Sequence, residues 1–340
     1  MYTCKTPDRT NEREVTELLK LGVIDMMNFM KKIIKISIIS IIAFITLFLF
    51  WTIRVEPDML VLKKVNLYLP NWHKEHSALK IAVISDMHIG TKYVNHDKVD
   101  KIVKKTNDAK PDIIFLMGDF DSEMIKKSNM DEKKLSKQLE ALNAPLGVMA
   151  VYGNHDFHPH ETVRDILKDA KIRVLENETI NIDHKGKELR IIGLKDLWQF
   201  ENDTETYVAE IDTQNPTILL SHNPDIFPKV PDKTSLTLSG HIHGGQITLP
   251  FFGGVFTASK YGQRYIKGHI VENGKHIYVS CGIGGTYFPR FGNPPEVVII
   301  NAYKQEDPKD FILNTPPKKG IKERPFASLL EDPKTSAPKN

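Results

Sequence analysis

Five short apolar runs in this 340-residue chain end in residues that hold metal ions or move protons. Ile81-Ala82-Val83-Ile84 leads through Ser85 into Asp86-Met87-His88, and the run over 113–117 leads into Gly118-Asp119. The run over 148–152 leads into Gly153-Asn154-His155-Asp156, and Ile218-Leu219-Leu220 into Ser221-His222. The last, Leu236-Thr237-Leu238, leads through Ser239 into Gly240-His241-Ile242-His243. Carboxylate, imidazole and amide oxygen together suit a divalent ion such as Mn, Fe or Zn. Cys4 and Cys281 lie outside the set, so no thiolate competes. One polar strand end, or one His, is ordinarily structural; five such ends in succession point to a shared site.

Apolar runs of this length bounded by polar loops read as buried strands, and an α/β sheet gathers the C-terminal ends of its strands into one crevice. Helical stretches over 99–105, 132–142 and 162–170 alternate with the strands, which argues for an α/β domain. Residues 65–69 alternate apolar and polar, consistent with an edge strand that Pro70-Asn71-Trp72 closes.

Taken in order, Asp86-Met87-His88, Gly118-Asp119, Gly153-Asn154-His155-Asp156, Ser221-His222 and Gly240-His241-Ile242-His243 resemble the blocks of the calcineurin-like metallophosphoesterases, over residues 62–302. The chain looks most similar to the membrane-associated bacterial branch, which includes UDP-2,3-diacylglucosamine pyrophosphatase-type members. Gly244-Gly245-Gln246 extends the last block, and Gly282-Ile283-Gly284, Pro289-Arg290-Phe291-Gly292 and Pro294-Pro295-Glu296 follow in that branch's manner. One departure stands in the second block, where Ser122 occupies a place usually acidic, with Asp121 and Glu123 on either side.

The resemblance implies a four-layer αββα sandwich, with strands over 189–194, 277–280 and 297–301 in its second sheet. It also implies two divalent ions, one held by Asp86, His88 and His243 and the other by Asn154, His222 and His241, with Asp119 bridging them. His241 and His243, two apart, share a face of an extended segment. Two such ions outweigh the two carboxylates, attract a phosphate and acidify a water that attacks phosphorus in line. In the same reading His155 protonates the leaving oxygen, and Asp156 either orients His155 or shapes the strand-end turn. Arg290 either contacts the substrate phosphate, whose geometry guanidinium matches, or closes its own loop on Phe291. Lys260, Arg264 and Lys267 read as a solvated face, or as a contact to an anionic lipid surface.

Composition sets the remaining bounds. Hydrophobic residues make up 41% of the chain, enough for a substantial core, and a net charge of +3 is too small to indicate a polyanionic partner. No basic motif interleaved with aromatics points to nucleic acid, no protein partner is evident, and two isolated cysteines give no disulfide framework. Residues 36–53 carry no charge and follow Lys31, Lys32 and Lys35. That length approaches a bilayer span. A cleaved signal peptide is the alternative, but Phe50-Trp51-Thr52-Ile53-Arg54 offers no small-x-small site, so residues 31–54 read as an uncleaved anchor. The preceding lysines favour a domain outside the cytoplasm, while Arg54, Lys63 and Lys64 oppose them. Residues 1–30 form a polar extension in which Met26, Met27 or Met30 would be an ordinary start, leaving 1–25 untranslated or disordered. From 304 to 340 the chain reads as a charged, disordered tail.

The expected function is a membrane-anchored bimetal phosphoesterase cleaving a phosphodiester or pyrophosphate, most specifically UDP-2,3-diacylglucosamine in lipid A biosynthesis. One alternative is an exported or surface phosphodiesterase or phosphatase. A non-catalytic scaffold of the same fold would show lost ligands, and all seven are present.

Overall fold

The computed structural model describes residues 9–121, 124–157, 160–212, 214–285 and 289–306. The chain divides after Thr52 into two units. The first is one 42-residue helix, α1 (Arg9–Phe50). Its apolar side chains point outward on every side; Ile36, Ile39, Phe44 and Leu47 are each more than half exposed. It is long and apolar enough to cross a membrane. The helix reaches back through residues expected to be untranslated or disordered. The reason is local: Arg, Glu, Leu and Lys dominate residues 9–21, and neither Gly nor Pro interrupts them before Gly22. Residues 1–8 lie outside the described residues, as do Ser122, Glu123 and the expected tail beyond 306.

The second unit opens with β1 (Val61–Leu69), β2 (Leu79–Ile84), β3 (Ile113–Leu116), β4 (Val148–Ala150) and β5 (Arg173–Val174). Then come β6 (Glu178–His184), β7 (Lys187–Gly193), β8 (Thr217–Leu220) and β9 (Leu236–Ser239). A small hairpin, β10 (Thr248–Leu249) and β11 (Gly253–Gly254), precedes β12 (Gly268–Glu272), β13 (Lys275–Val279) and β14 (Glu296–Lys304). Between them lie α2 (His96–Asp108), α3 (Met124–Lys127), α4 (Glu132–Glu140), α5 (His160–Asp169) and α6 (Glu201–Ala209). One six-stranded sheet has the order β1-β14-β2-β3-β4-β5 and the other β12-β13-β9-β8-β7-β6.

Three apolar cores separate four layers. Val83, Phe115 and Val151 of the first sheet meet Ile191, Ile218 and Leu238 of the second. On the first sheet's far face Ala82, Ile84 and Ile114 pack against Ile102, Leu135 and Ile166 of α2, α4 and α5. On the second's far face Ile192, Leu219 and Val279 meet Val208 of α6 with Phe227 and Tyr265. Alternate residues of β2 thus enter different cores, as a strand period of two requires. Strands buried on both faces are apolar throughout, which is why they were legible as runs. The architecture is the αββα sandwich.

One strand lies elsewhere than expected. β14 belongs to the first sheet, between β1 and β2, with Ile300 opposite Ile81. The loop after β13 moves the chain across: Ile283 donates its N–H to the Ser85 carbonyl and Gly284 to that of Asp86. The continuous apolar run of β14 would satisfy either sheet, so its sequence alone does not choose.

Candidate metal centre

The ligand-bearing strands of the first sheet, β2, β3 and β4, run parallel, as do β8 and β9 of the second. Their C-terminal loops converge. Asp86, His88, Asp119 and His243 form one cluster of ligand atoms, and Asp119, His222 and His241 form another, each within 4.8 Å. Asp119 is common to both. Its Oδ1 accepts the His155 backbone N–H at 2.9 Å, while its Oδ2 lies 3.5 Å from His88 Nε2 and 3.3 Å from His222 Nε2. His243 Nε2 stands 3.2 Å from His88 Nε2 and 3.4 Å from Asp86 Oδ1.

The loops are held in costly backbone conformations. Asp86, His88, Asp119, His241 and His243 have φ between 45° and 70°, the left-handed region. Each such non-glycine residue costs on the order of 1–3 kcal/mol. Five of seven proposed ligands carry that strain, so the surrounding structure fixes these side chains against local preference. Close approach adds a steric demand at Gly153, where a Cβ would meet the Asp119 nitrogen at 2.6 Å and His222 Cε1 at 2.8 Å.

A metal fits what these residues leave unmade. Asn154 Oδ1, His222 Nε2 and His241 Nε2 are buried, and no well-formed hydrogen bond reaches them. Buried polar atoms are normally paired, so a cluster of exceptions calls for a ligand. His222 Nδ1 lies 2.6 Å from the Met117 carbonyl; donation there leaves the Nε2 lone pair for an ion. Asp86 is oriented by the Ser85 hydroxyl at 2.5 Å and by the His241 N–H at 3.0 Å.

The protonation states agree. Burial lowers His88 to about 4 and His241 to about 3, and holds His243 well below the ordinary imidazole value. Burial thus favours the neutral imidazole in all three, the form a metal ligand takes. Burial also opposes charge on His222, but the Asp119 carboxylate outweighs it and holds this imidazole well above its ordinary value. Asp119 is correspondingly held well below the carboxylate range, its own burial outweighed by His222 and His88. Burial raises Asp86 to about 6. The attraction between Asp119 and a proton on His222 is what a cation between them would replace.

The remaining expected residues separate. His155 is exposed, with its ring edge-on to His88 at 5.3 Å between centroids. Asp156 is fully buried, and its carboxylate accepts the N–H groups of Gly153 and Asp119 at 2.8 Å, Phe120 at 2.7 Å and Asp121 at 3.3 Å. It therefore ties the loop after β4 to the loop after β3, and its oxygens face backbone donors where the catalytic expectation had them orient the His155 ring. Arg290 follows the second of its two expected roles, closing its loop, through carbonyl contacts. It is 2% exposed, and its guanidinium donates to the carbonyls of Cys281 at 3.0 Å, Asn293 at 2.9 Å and Gly284, with one nitrogen 3.2 Å from His243 Nδ1. Three carbonyls converging on one planar fork hold the guanidinium inside the fold.

Two further residues border the centre. Asp196, just past β7, is buried and caps the N–H groups of Trp198 and Gln199, while its own pKa is raised by burial. Trp198 stands edge-on to His241 at 4.5 Å. The signal for Asp196 was the same as for the ligands, a carboxylate at the end of an apolar strand.

Comparison with known proteins agrees with this geometry. A family model described as Calcineurin-like phosphoesterase matches residues 79–245. The chain is 33% identical over 227 residues to the uncharacterized metallophosphoesterase YkuE of Bacillus subtilis (strain 168), covering 65% of this chain and 78% of that one. It is 26% identical over 313 residues to the UDP-2,3-diacylglucosamine pyrophosphatase LpxG of Chlamydia trachomatis, covering 74% and 92%. It is 28% identical over 233 residues to the phosphodiesterase YaeI of Escherichia coli (strain K12), covering 67% and 83%. The chain belongs to the calcineurin-like phosphoesterase family and is a hydrolase with a dinuclear metal centre.

Proposed function

We propose that this protein is a membrane-anchored phosphoesterase that cleaves the pyrophosphate of UDP-2,3-diacylglucosamine. The observation that carries the bond class is Asp119, whose one carboxylate oxygen serves both ligand clusters. Two divalent ions bound here supply Lewis acidity toward a phosphoryl oxygen and acidify water. Asp86, His88 and His243 would hold one and Asn154, His222 and His241 the other, with Asp119 offered to both. His155, exposed beside His88, delivers a proton to the leaving oxygen. Asp156 holds the two ligand loops together through their N–H groups, and Met117 fixes the His222 tautomer. The lipid-linked substrate draws support from the Chlamydia relative, matched over most of both chains, and from the apolar helix α1, which would confine the centre to a bilayer surface. With that substrate the catalytic unit faces the cytoplasm, where nucleotide-linked sugars are made.

Purified full-length protein in detergent micelles, loaded with manganese, tests both levels. Release of UMP from UDP-2,3-diacylglucosamine, together with hydrolysis of bis-p-nitrophenyl phosphate, is the expected result. Diester hydrolysis without UMP release would overturn the lipid substrate and favour a phosphodiesterase of the kind the Escherichia coli relative is called. Inactivity of the metal-loaded protein on both would overturn the catalytic reading.

A further inference from the structure

The hairpin β10–β11 begins five residues after His243 and, among the described residues of the catalytic unit, presents the most exposed aromatic side chains. Phe251 is 99% exposed and Phe252 79%, with Val255 and Phe256 exposed just past the return strand. The turn is closed by the Phe252 N–H on the Leu249 carbonyl at 3.2 Å, with Pro250 second and Phe251 third. Phe251 has φ +70°. Proline followed by a left-handed residue marks a type II turn, whose third place ordinarily takes Gly or Asn. A bulky aromatic held there, in water, is unfavourable in both backbone and solvation, and such outliers point to function.

The tip is presented by a fixed base. Thr248 pairs with Gly254 and Leu249 with Gly253. The Gln263 side chain binds the Gly254 N–H at 3.0 Å and its carbonyl at 2.5 Å, and Asn293 Nδ2 donates to Thr248 Oγ1 at 2.7 Å. Gly245, in the ligand loop, packs so closely on the hairpin that a Cβ would meet Gly254 Cα at 2.5 Å. The neighbouring cations add little free charge. Arg264 is paired in two contacts with Glu272, and Lys267 is bound to Gly292 and Asn293. The surface is therefore apolar in character.

We infer that the Phe251–Phe252 tip enters the apolar edge of the bilayer, making the hairpin a second membrane contact beside the metal centre. The inference rests on the proposed anchoring by α1. Ten residues separate Phe50 from Val61, at most about 35 Å of extended chain. Such a tether limits how far the catalytic unit can stand from the headgroups, and aromatic side chains at a turn tip suit that interface.

Depth measurement with the full-length chain tests this. In a Cys4→Ser background Cys281 is buried, so an environment-sensitive NBD label attaches at a single introduced cysteine. The sites are Phe252→Cys, Ile39→Cys in α1, and Lys185→Cys at the polar β6–β7 turn. The protein is reconstituted in phosphatidylcholine vesicles with and without acyl-chain doxyl lipid. Blue-shifted emission and doxyl quenching at 252, comparable with 39 and several-fold above 185, are expected. Quenching at 39 but not at 252 would overturn the hairpin contact and leave the anchor standing. Blue shift at 252 without doxyl quenching would mean that a second copy covers the tip, which also overturns it. Quenching at 252 alone would support the hairpin and remove the anchor.

Discussion

Two buried polar clusters lie side by side at the same end of the sandwich, and they are built on opposite rules. Around Asp119, backbone is strained and buried atoms of Asn154, His222 and His241 lack hydrogen-bond partners. Around Arg290, partners are abundant. Its guanidinium meets three carbonyls, Asn293 binds the Gly244 carbonyl and Thr248, and the Asn293 N–H donates to Glu56 at 2.7 Å. A buried charge whose bonds are all made is part of the scaffold, whereas a cluster with bonds left unmade awaits a ligand. Burial and charge alone do not distinguish the two; the state of the hydrogen bonds does.

The largest effect should come from breaking the unsatisfied cluster at its shared residue. Asp119→Ala removes the carboxylate oxygen common to both sites, so turnover of bis-p-nitrophenyl phosphate should vanish. His222→Ala and Asp86→Ala, each confined to one cluster, should retain one ion. A metal-loaded Asp119→Ala protein of near wild-type rate would contradict the sharing.

Next in size is His155, beside the cluster but outside it. His155→Ala should keep its metals and lose roughly 10²- to 10⁴-fold in kcat, the range for a general acid. The loss should shrink with better leaving groups across an aryl phosphodiester series. An equal loss for all leaving groups would contradict proton delivery.

Arg290 sharpens the comparison from the satisfied side. Arg290→Met bares buried carbonyls at roughly 1–3 kcal/mol each, so the thermal midpoint should fall by several degrees while KM for the diester stays unchanged. A raised KM at unchanged stability would restore Arg290 to the phosphate.

The smallest effect concerns imidazoles away from the centre. Burial lowers His269 to about 4 and His276 to about 3, below the ordinary 6.5. Between 6.5 and those values the unfolded chain binds more protons than the folded one, so stability falls as pH falls through that window. A His269→Gln, His276→Gln variant should show a flatter decline in denaturant midpoint from pH 7 to 4.5. A slope equal to that of the parent would place the acid sensitivity elsewhere.

The ligands were legible because doubly buried strands announce themselves as apolar runs and end where a parallel sheet must open a crevice. Direction was less legible. Arg290 sits among Gly and Pro that suggest a loop, but the inward turn of its side chain depends on carbonyls contributed by residues 281 and 284 as well as 293. Asp156 is adjacent to His155 in sequence, yet the 3-10 turn over Asn154–Phe157 points the two side chains to different neighbours, one buried and one exposed. β14 is an apolar run that either sheet would accept, and the loop bonds to Ser85 and Asp86 carry it to the first. Asp196 is harder to read because its strand end lacks a His, although it carries the same carboxylate signal.

Elemental analysis of purified wild-type protein and Asp119→Ala, both confirmed folded, tests the central claim most directly. Close to two transition-metal equivalents in the wild type, and loss of more metal from Asp119→Ala than from either Asp86→Ala or His222→Ala, is the result this account predicts. A full complement of metal in Asp119→Ala would contradict it.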